Sequence, residues 1–198
     1  MRPAVFIDRD GTVIEEAGYL DRFDLIVPFP WSGRAIRMLK DVGYVVVIVT
    51  NQAGIARGFF DEPFVREVHA RLDAMLRAEG VDVDGYYYCP HHPEGTVEGY
   101  RQACACRKPA PGLVQAAARD LDLDPSRSFV IGDKWLDIEL AKNVGATGVL
   151  VRTGYGRGVE ATPPEGVRAD IVVDTLREAA EWIVARGPAP RMDVPRAT

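Results

Sequence analysis

Short runs of β-branched and aromatic residues alternate along this chain with longer stretches whose apolar positions recur every three or four residues. Those two periods separate strands from helices. Val5-Phe-Ile7 and Val45 to Val49 read as buried strands, and each opens into a polar loop, Asp8-Arg-Asp10-Gly-Thr12 and Thr50-Asn51-Gln52. Between them, Ser32 is placed to cap a helix carrying Ile36, Leu39 and Val42 on one face, with Gly43 as its stop. Asp61 and Pro63 start a second helix that turns Phe64, Val68, Leu72, Met75 and Leu76 inward and ends at Gly80. A short strand, Tyr86 to Tyr88, follows. Pro111 opens a helix through Leu113, Ala117 and Leu121, and Phe129-Val-Ile131 reads as the next strand. A helix from about Leu136 to Val144, strands Gly148 to Val151 and Ile171-Val-Val173, and a helix from Leu176 to Val184 complete the series. Such alternation predicts an α/β fold, a Rossmann-like parallel sheet with helices on both faces.

The length of 198 residues suits one elaborated domain, here 1–186, with the proline-rich residues 187–198 expected to be a disordered tail. The 47% hydrophobic content supplies a core without help from disulfides, and roughly 70% of the unfolded chain's surface can be buried at this size. Lysine and arginine number 24 against 29 acids, a net charge of -5 with the signs mixed, so no positive field holds a nucleic acid. The longest apolar run, Tyr44 to Val49, falls far short of the ~20 residues that span a bilayer, and Met1-Arg-Pro carries no apolar signal segment. A cytoplasmic protein without membrane partners is expected, and the absence of an extra apolar helix favours a monomer.

The candidate chemistry lies in the loops after the strands. Asp8 and Asp10 follow the first strand and Asp133 ends another, at the rim where open α/β sheets bind ligands. Carboxylates converging there repel one another unless a cation neutralises them, and hard oxygen donors suit Mg²⁺. With the metal, one aspartate can act as nucleophile and its neighbour as proton shuttle, which is chemistry suited to phosphoryl transfer. Thr50, Asn51 and Lys108 offer a hydroxyl, an amide and a cation to clamp a phosphoryl group. A single aspartate at a strand end is more often a turn residue. Four segments aimed at one rim reverse that reading.

In these segments the sequence resembles the haloacid dehalogenase-like phosphatase superfamily, whose four motifs match Asp8-Arg-Asp-Gly-Thr12, Thr50, Lys108 and Gly132-Asp133. The match extends to about residue 155. The resemblance implies that Asp8 is the nucleophile and Asp10 the general acid and base, that Thr50 and Lys108 hold the phosphoryl group, and that Asp8, Asp133 and the Asp10 carbonyl bind Mg²⁺. The second aspartate is the one that dehalogenases lack, so a phosphatase is implied.

The three cysteines are too few and too close together for a disulfide framework. Cys89-Pro-His91, followed after twelve residues by Cys104-Ala-Cys106, instead offers three thiolates and an imidazole, a closed tetrahedral set for structural Zn²⁺. His92 competes with His91; the tight Cys-x-His spacing and the family pattern together select His91. Such a zinc-bound loop insert, 89–107, would aim Arg107 and Lys108, which follow its last ligand. It narrows the resemblance to the superfamily branch that hydrolyses heptose 1,7-bisphosphates and histidinol phosphate. The longer insert favours the heptose substrate, a small phosphorylated sugar cleaved at its 7-phosphate, with histidinol phosphate or a broad range of sugar phosphates as the alternative and a non-catalytic zinc-stabilised binding module as a distant third. Arg107 suits the uncleaved phosphate of such a substrate as a guanidinium, and the resemblance also assigns Arg107 and Lys134 to substrate binding. Glu16, Ala17, Gly18, Tyr19, Asn51, Gln52 and Ala53 align with substrate-lining segments. Three signals are set aside: Gly154-Tyr-Gly156-Arg-Gly158 as a flexible loop with no clear helix after it, His69 as a solvated helix residue, and Trp31, Trp135 and Trp182 as packing residues.

Overall fold

A computed structural model describes residues 1–187. Residues 188–198 of the expected tail lie outside the described residues; the tail's first residue, Gly187, accepts a hydrogen bond from the Tyr44 hydroxyl at 2.9 Å. Among the described residues, six strands form one all-parallel sheet: β1 (Ala4–Ile7), β2 (Val45–Asn51), β3 (Gly85–Cys89), β4 (Phe129–Gly132), β5 (Thr147–Val151) and β6 (Ile171–Val173). Their order across the sheet is β3-β2-β1-β4-β5-β6. The helices are α1 (Ser32–Asp41), α2 (Ala53–Ala56), α3 (Glu62–Ala78), α4 (Gly112–Leu121), α5 (Trp135–Val144), α6 (Gly156–Val159) and α7 (Leu176–Val184). No described helix is long and apolar enough to cross a membrane.

The strands read as unbroken apolar runs because both faces of the sheet are covered. Successive side chains point to opposite faces. Val5, Ile7, Val46, Ile48, Ile131 and Val149 pack with Leu39 of α1, Leu72 and Leu76 of α3 and Ile183 of α7. Ala4, Phe6, Val45, Val47, Val49 and Val130 pack on the other side with Leu113 and Val114 of α4 and Leu140 and Ala141 of α5. Strand order reverses between β1 and β4, the point at which open α/β sheets bind ligands in a crevice at the carboxyl ends of their strands.

Three local expectations are corrected. Ser32 is the first residue of α1 rather than its cap, which is Trp31; the Ser32 hydroxyl instead donates to the Val13 carbonyl at 2.7 Å and ties the helix to the loop after β1. Met75 points outward and is exposed, because α3 buries the narrower stripe of Val65, Val68, Leu72 and Leu76. His69 lies on the same buried side, stacked on Tyr86 with ring centroids 4.8 Å apart, rather than in solvent.

Leu39 is fully buried between α1 and the sheet. Leu39→Ala should therefore cost about 2–5 kcal/mol of unfolding free energy, read as a lower urea midpoint at unchanged slope.

Candidate active site

The pairing of β1 with β2 and β4 sets Ile7 opposite Ile48 and Ile131, so Asp8 leaves the sheet between the two neighbouring strands. Its N–H donates to the Ile131 carbonyl at 2.9 Å. Beyond it the chain folds back: Val13 N–H and Ile14 N–H both reach the Arg9 carbonyl, and Gly11 adopts φ +80°. A Cβ at Gly11 would stand 2.3 Å from Asp133 Oδ2, so only glycine fits this close approach.

Asp8, Asp133 and Asp137 are all buried, and each offers a carboxylate oxygen within 4.8 Å of the others. The third carboxylate of this group is Asp137, not Asp10; it lies one helical turn after Asp133, in the first turn of α5, and the sequence reading had not singled it out. Lys108 faces the group, with Nζ 2.9 Å from Asp8 Oδ1, 2.6 Å from Asp137 Oδ1 and 2.9 Å from the Val49 carbonyl. Burial works against the charged lysine, yet Asp137 and Asp8 raise its pKa above the ordinary value. One cation does not balance three carboxylates. Burial, and then the facing Asp8 charge, push Asp133 up to about 8, and its Oδ1 is buried without a hydrogen-bond partner. Asp133 Oδ2 accepts from the Tyr155 N–H at 2.8 Å. An unpartnered buried carboxylate oxygen beside two further carboxylates fits a hard divalent cation.

Asp10 is not one of these three carboxylates and has partners of its own. Arg9 Nη2 contacts both of its oxygens at 2.9 Å and Arg9 Nε reaches Oδ1 at 3.1 Å, while Gln52 Nε2 donates to Oδ2 at 2.9 Å. Thr50 Oγ1 lies 3.4 Å from the same oxygen. Burial alone would raise the Asp10 pKa; the Arg9 guanidinium outweighs it and holds the carboxyl below its usual value.

Asn51, expected to clamp a phosphoryl group, has both ends of its amide on the Lys108 backbone instead. Its Nδ2 donates to the Lys108 carbonyl at 3.1 Å and its Oδ1 accepts from the Lys108 N–H at 3.0 Å. The Asn51 side chain thus fixes where Lys108 enters the crevice. Lys134 extends toward the loop after β1, 3.2 Å from Glu16 Oε2 and 4.4 Å above the Tyr155 ring. Ala17, Gly18 and Tyr19 are exposed, and Ala53 starts α2 at the same rim. Tyr19 packs edge-on against Phe59 at 4.5 Å. The segment around Gly154 is not the helix-free loop expected: Gly156–Val159 forms α6, and Gly154 lies against Gly11 and Asp133. A cleft of about 530 Å³ lined by Ile55, Phe59, Phe60, Phe64, Val97 and Tyr100 adjoins α2, and none of the carboxylates of the rim lines it.

The cysteine loop starts where β3 ends. Cys89 pairs with Asn51 in the sheet register, and the Cys89 carbonyl accepts from the Gln52 N–H at 2.8 Å. The Sγ atoms of Cys89, Cys104 and Cys106 are 3.3–3.5 Å apart, and His91 Nδ1 lies 3.3 Å from Cys106 Sγ and 3.8 Å from Cys89 Sγ. A disulfide would bring two sulfurs to about 2.05 Å. Zn–S bonds of about 2.3 Å place tetrahedral ligands about 3.8 Å apart, close to the separations found. Burial opposes ionisation of all three thiols and raises Cys89 and Cys106, while Cys104 is lowered because Cys106 and the Arg107 N–H donate to it. His92 stands apart from this group, with its Nε2 3.5 Å from Arg57. Arg107 donates to the His91 carbonyl at 3.2 Å, which anchors its side chain to the loop.

A rim of this kind on a parallel sheet of this order defines a haloacid dehalogenase-like hydrolase, and the family model described as HAD-hydrolase-like matches residues 105–179. A D-glycero-beta-D-manno-heptose-1,7-bisphosphate 7-phosphatase of Haemophilus ducreyi is 43% identical over 92% of this chain and 98% of its own length. The Escherichia coli K12 protein of the same name is 43% identical over 91% and 93%. Among solved structures, a D,D-heptose 1,7-bisphosphate phosphatase from B. bronchiseptica, complexed with magnesium and phosphate, superposes with a TM-score of 0.81 at 34% identity, covering 93% of this chain and 99% of that one. The chain belongs to the heptose-1,7-bisphosphate 7-phosphatase family of the haloacid dehalogenase-like hydrolases.

Because the Asp133 pKa is raised from 3.8 to about 8, the metal-free native state binds a proton that the unfolded chain releases over that range. Stability from this source is complete below pH 4 and is lost as pH rises through 8. In the presence of a chelator, the melting temperature should fall between pH 5 and pH 8, and Asp133→Asn should flatten that slope.

Proposed function

We propose that this protein is a Mg²⁺-dependent phosphatase that removes the 7-phosphate of D-glycero-β-D-manno-heptose 1,7-bisphosphate through an aspartyl-phosphate intermediate, in the cytoplasmic synthesis of nucleotide-activated heptose for surface glycans. The observation that carries this reading is the buried meeting of Asp8, Lys108, Asp133 and Asp137 at the strand-order reversal, with the Asp10 carboxylate held beside it. Relatives over 40% identical that carry the heptose name support the substrate.

Asp8 and Asp133, with the Asp10 carbonyl, would hold Mg²⁺, which supplies charge neutralisation to the carboxylates and to the phosphoryl oxygens. Asp8 Oδ1 is pinned by the Arg9 N–H at 2.8 Å and by Lys108, so the carboxylate faces the incoming phosphorus in one orientation. An Asp8 oxygen forms a bond to phosphorus while the bond from phosphorus to the sugar oxygen breaks, and the departing oxygen takes its proton from the protonated form of Asp10, the form that Arg9 disfavours in the substrate-free protein. Asp10 then takes a proton from water as that water attacks phosphorus, which releases inorganic phosphate and restores Asp8. Lys108 and Thr50 offset charge on the phosphoryl oxygens. Arg107, Lys134 and the segment Glu16–Tyr19 bind the sugar and its remaining phosphate; Gln52 holds Asp10 and Asn51 holds Lys108 in place.

Cys89, His91, Cys104 and Cys106 would hold one structural Zn²⁺, because four protein ligands leave no open position. Unbridged thiols suit the reducing cytoplasm. Metal analysis of protein purified under reducing conditions should find one zinc per chain, and Cys106→Ser should lose it and melt at a lower temperature; a zinc-free native protein would contradict the assignment.

The function is tested by kcat/KM, with Mg²⁺, for the α and β anomers of the heptose bisphosphate and for histidinol phosphate. The expected order places the β anomer first, and Asp8→Asn should abolish turnover with the fold unchanged. A preference for histidinol phosphate would overturn the substrate while leaving the chemistry, and substantial activity in Asp8→Asn would overturn the chemistry.

A further inference from the structure

Arg9 sits between the two aspartates of the loop after β1, yet its side chain is 1% exposed and is among the largest fully buried side chains of the protein. Its guanidinium divides its hydrogen bonds between two partners. Nε and Nη2 face Asp10, whereas Nη1 lies 3.2 Å from His69 Nε2 on α3, sixty residues away. His69 is itself buried, stacked on Tyr86 and edge-on to Tyr88 at 5.7 Å. Arg9 carries no acceptor, so the short contact requires His69 Nε2 to be the acceptor and the proton to reside on Nδ1. The surroundings agree: burial and then the Arg9 charge push His69 down to about 3, which keeps its ring neutral.

We propose that His69 is a positioning residue for the proposed general acid: by accepting from Arg9 Nη1 it fixes the plane of the guanidinium, and that plane sets the direction of the Asp10 carboxylate. This inference rests on the reading of Asp10 as the group that protonates the leaving oxygen. A planar guanidinium bound to a carboxylate through two nitrogens transmits its own orientation to that carboxylate. The tertiary structure supports the same link. Glu62, at the start of α3, accepts from the Tyr88 hydroxyl at 2.6 Å and the Tyr100 hydroxyl at 2.8 Å, which holds α3 against β3 and the cysteine loop. His69 therefore approaches Arg9 from a helix fixed at its far end. Without an acceptor at position 69, the guanidinium keeps its charge beside Asp10 but can rotate, and the carboxylate loses its aim at the sugar oxygen.

The readout is the dependence on leaving group. A sugar alkoxide needs a proton as it departs, whereas p-nitrophenolate is stable enough to leave unaided. The ratio kcat/KM covers the steps through phosphorylation of Asp8 and isolates this event from hydrolysis of the intermediate. His69→Phe keeps an aromatic ring beside Tyr86 and removes the acceptor; His69→Gln restores an acceptor. His69→Leu takes the place of the phenylalanine variant if that protein does not fold. Each is measured with Mg²⁺ on the heptose bisphosphate and on p-nitrophenyl phosphate, beside Asp10→Asn. His69→Phe should lower kcat/KM about tenfold or more for the sugar phosphate and less than about threefold for the aryl phosphate, and His69→Gln should recover most of the loss. An equal loss on both substrates, or none, in a folded acceptor-free variant would overturn the role of His69 if Asp10→Asn still showed the selective loss. If Asp10→Asn also failed to discriminate between leaving groups, the acid–base reading of Asp10 would fail, and the role of His69 with it.

Discussion

Three carboxylates buried within 4.8 Å of one another, faced by one lysine, form the constraint around which the rim is built. At an effective dielectric of about 20, each unit-charge pair at 4 Å repels by about 4 kcal/mol. A fold does not assemble such a group without a cation to occupy it or a use for its strain. The surrounding backbone is cut to fit. Gly11 and Gly154 both lie where a Cβ would strike the Asp133 carboxylate, so two loops from opposite sides of the crevice close to contact on one side chain. The Tyr155 N–H satisfies one oxygen of Asp133 and leaves the other for a ligand.

The cysteine loop serves the same rim from a distance. Lys108 must arrive from a long segment with little regular structure, and such segments are seldom precise. Here the segment is gathered at Cys89, Cys104 and Cys106 and then clamped by the Asn51 amide to the Lys108 backbone. The loop thus converts the fixed end of β3 into a fixed entry for the lysine. Arg107, one residue earlier, is held by the His91 carbonyl and shares this placement.

Much of the architecture was legible because two-sided burial writes strands as apolar runs and helices as amphipathic ones; the α7 boundaries, Leu176 and Val184, match the sequence reading at both ends. The acidic loop, Lys108, Asp133 and the cysteine set were legible because their residue types are costly to gather without a purpose. What stayed hidden depended on the third dimension. Asp137 follows Asp133 by four residues, a helical turn that the sequence offered but did not distinguish from an ordinary first-turn acid. His69 was read as a solvated helix residue, because nothing local says that α3 lays it against Tyr86 and the buried Arg9. Asn51 was assigned to substrate because its amide chemistry permits that role, and only the distance to Lys108 showed its occupation.

The central claim is that this rim hydrolyses one particular phosphate of a sugar bisphosphate. The most direct measurement follows D-glycero-β-D-manno-heptose 1,7-bisphosphate with the protein and Mg²⁺ by ³¹P NMR. The 7-phosphate resonance should disappear as inorganic phosphate grows, with the anomeric phosphate retained in the product. Loss of the anomeric phosphate first, or a bisphosphate left intact by the metal-loaded protein, would contradict the account.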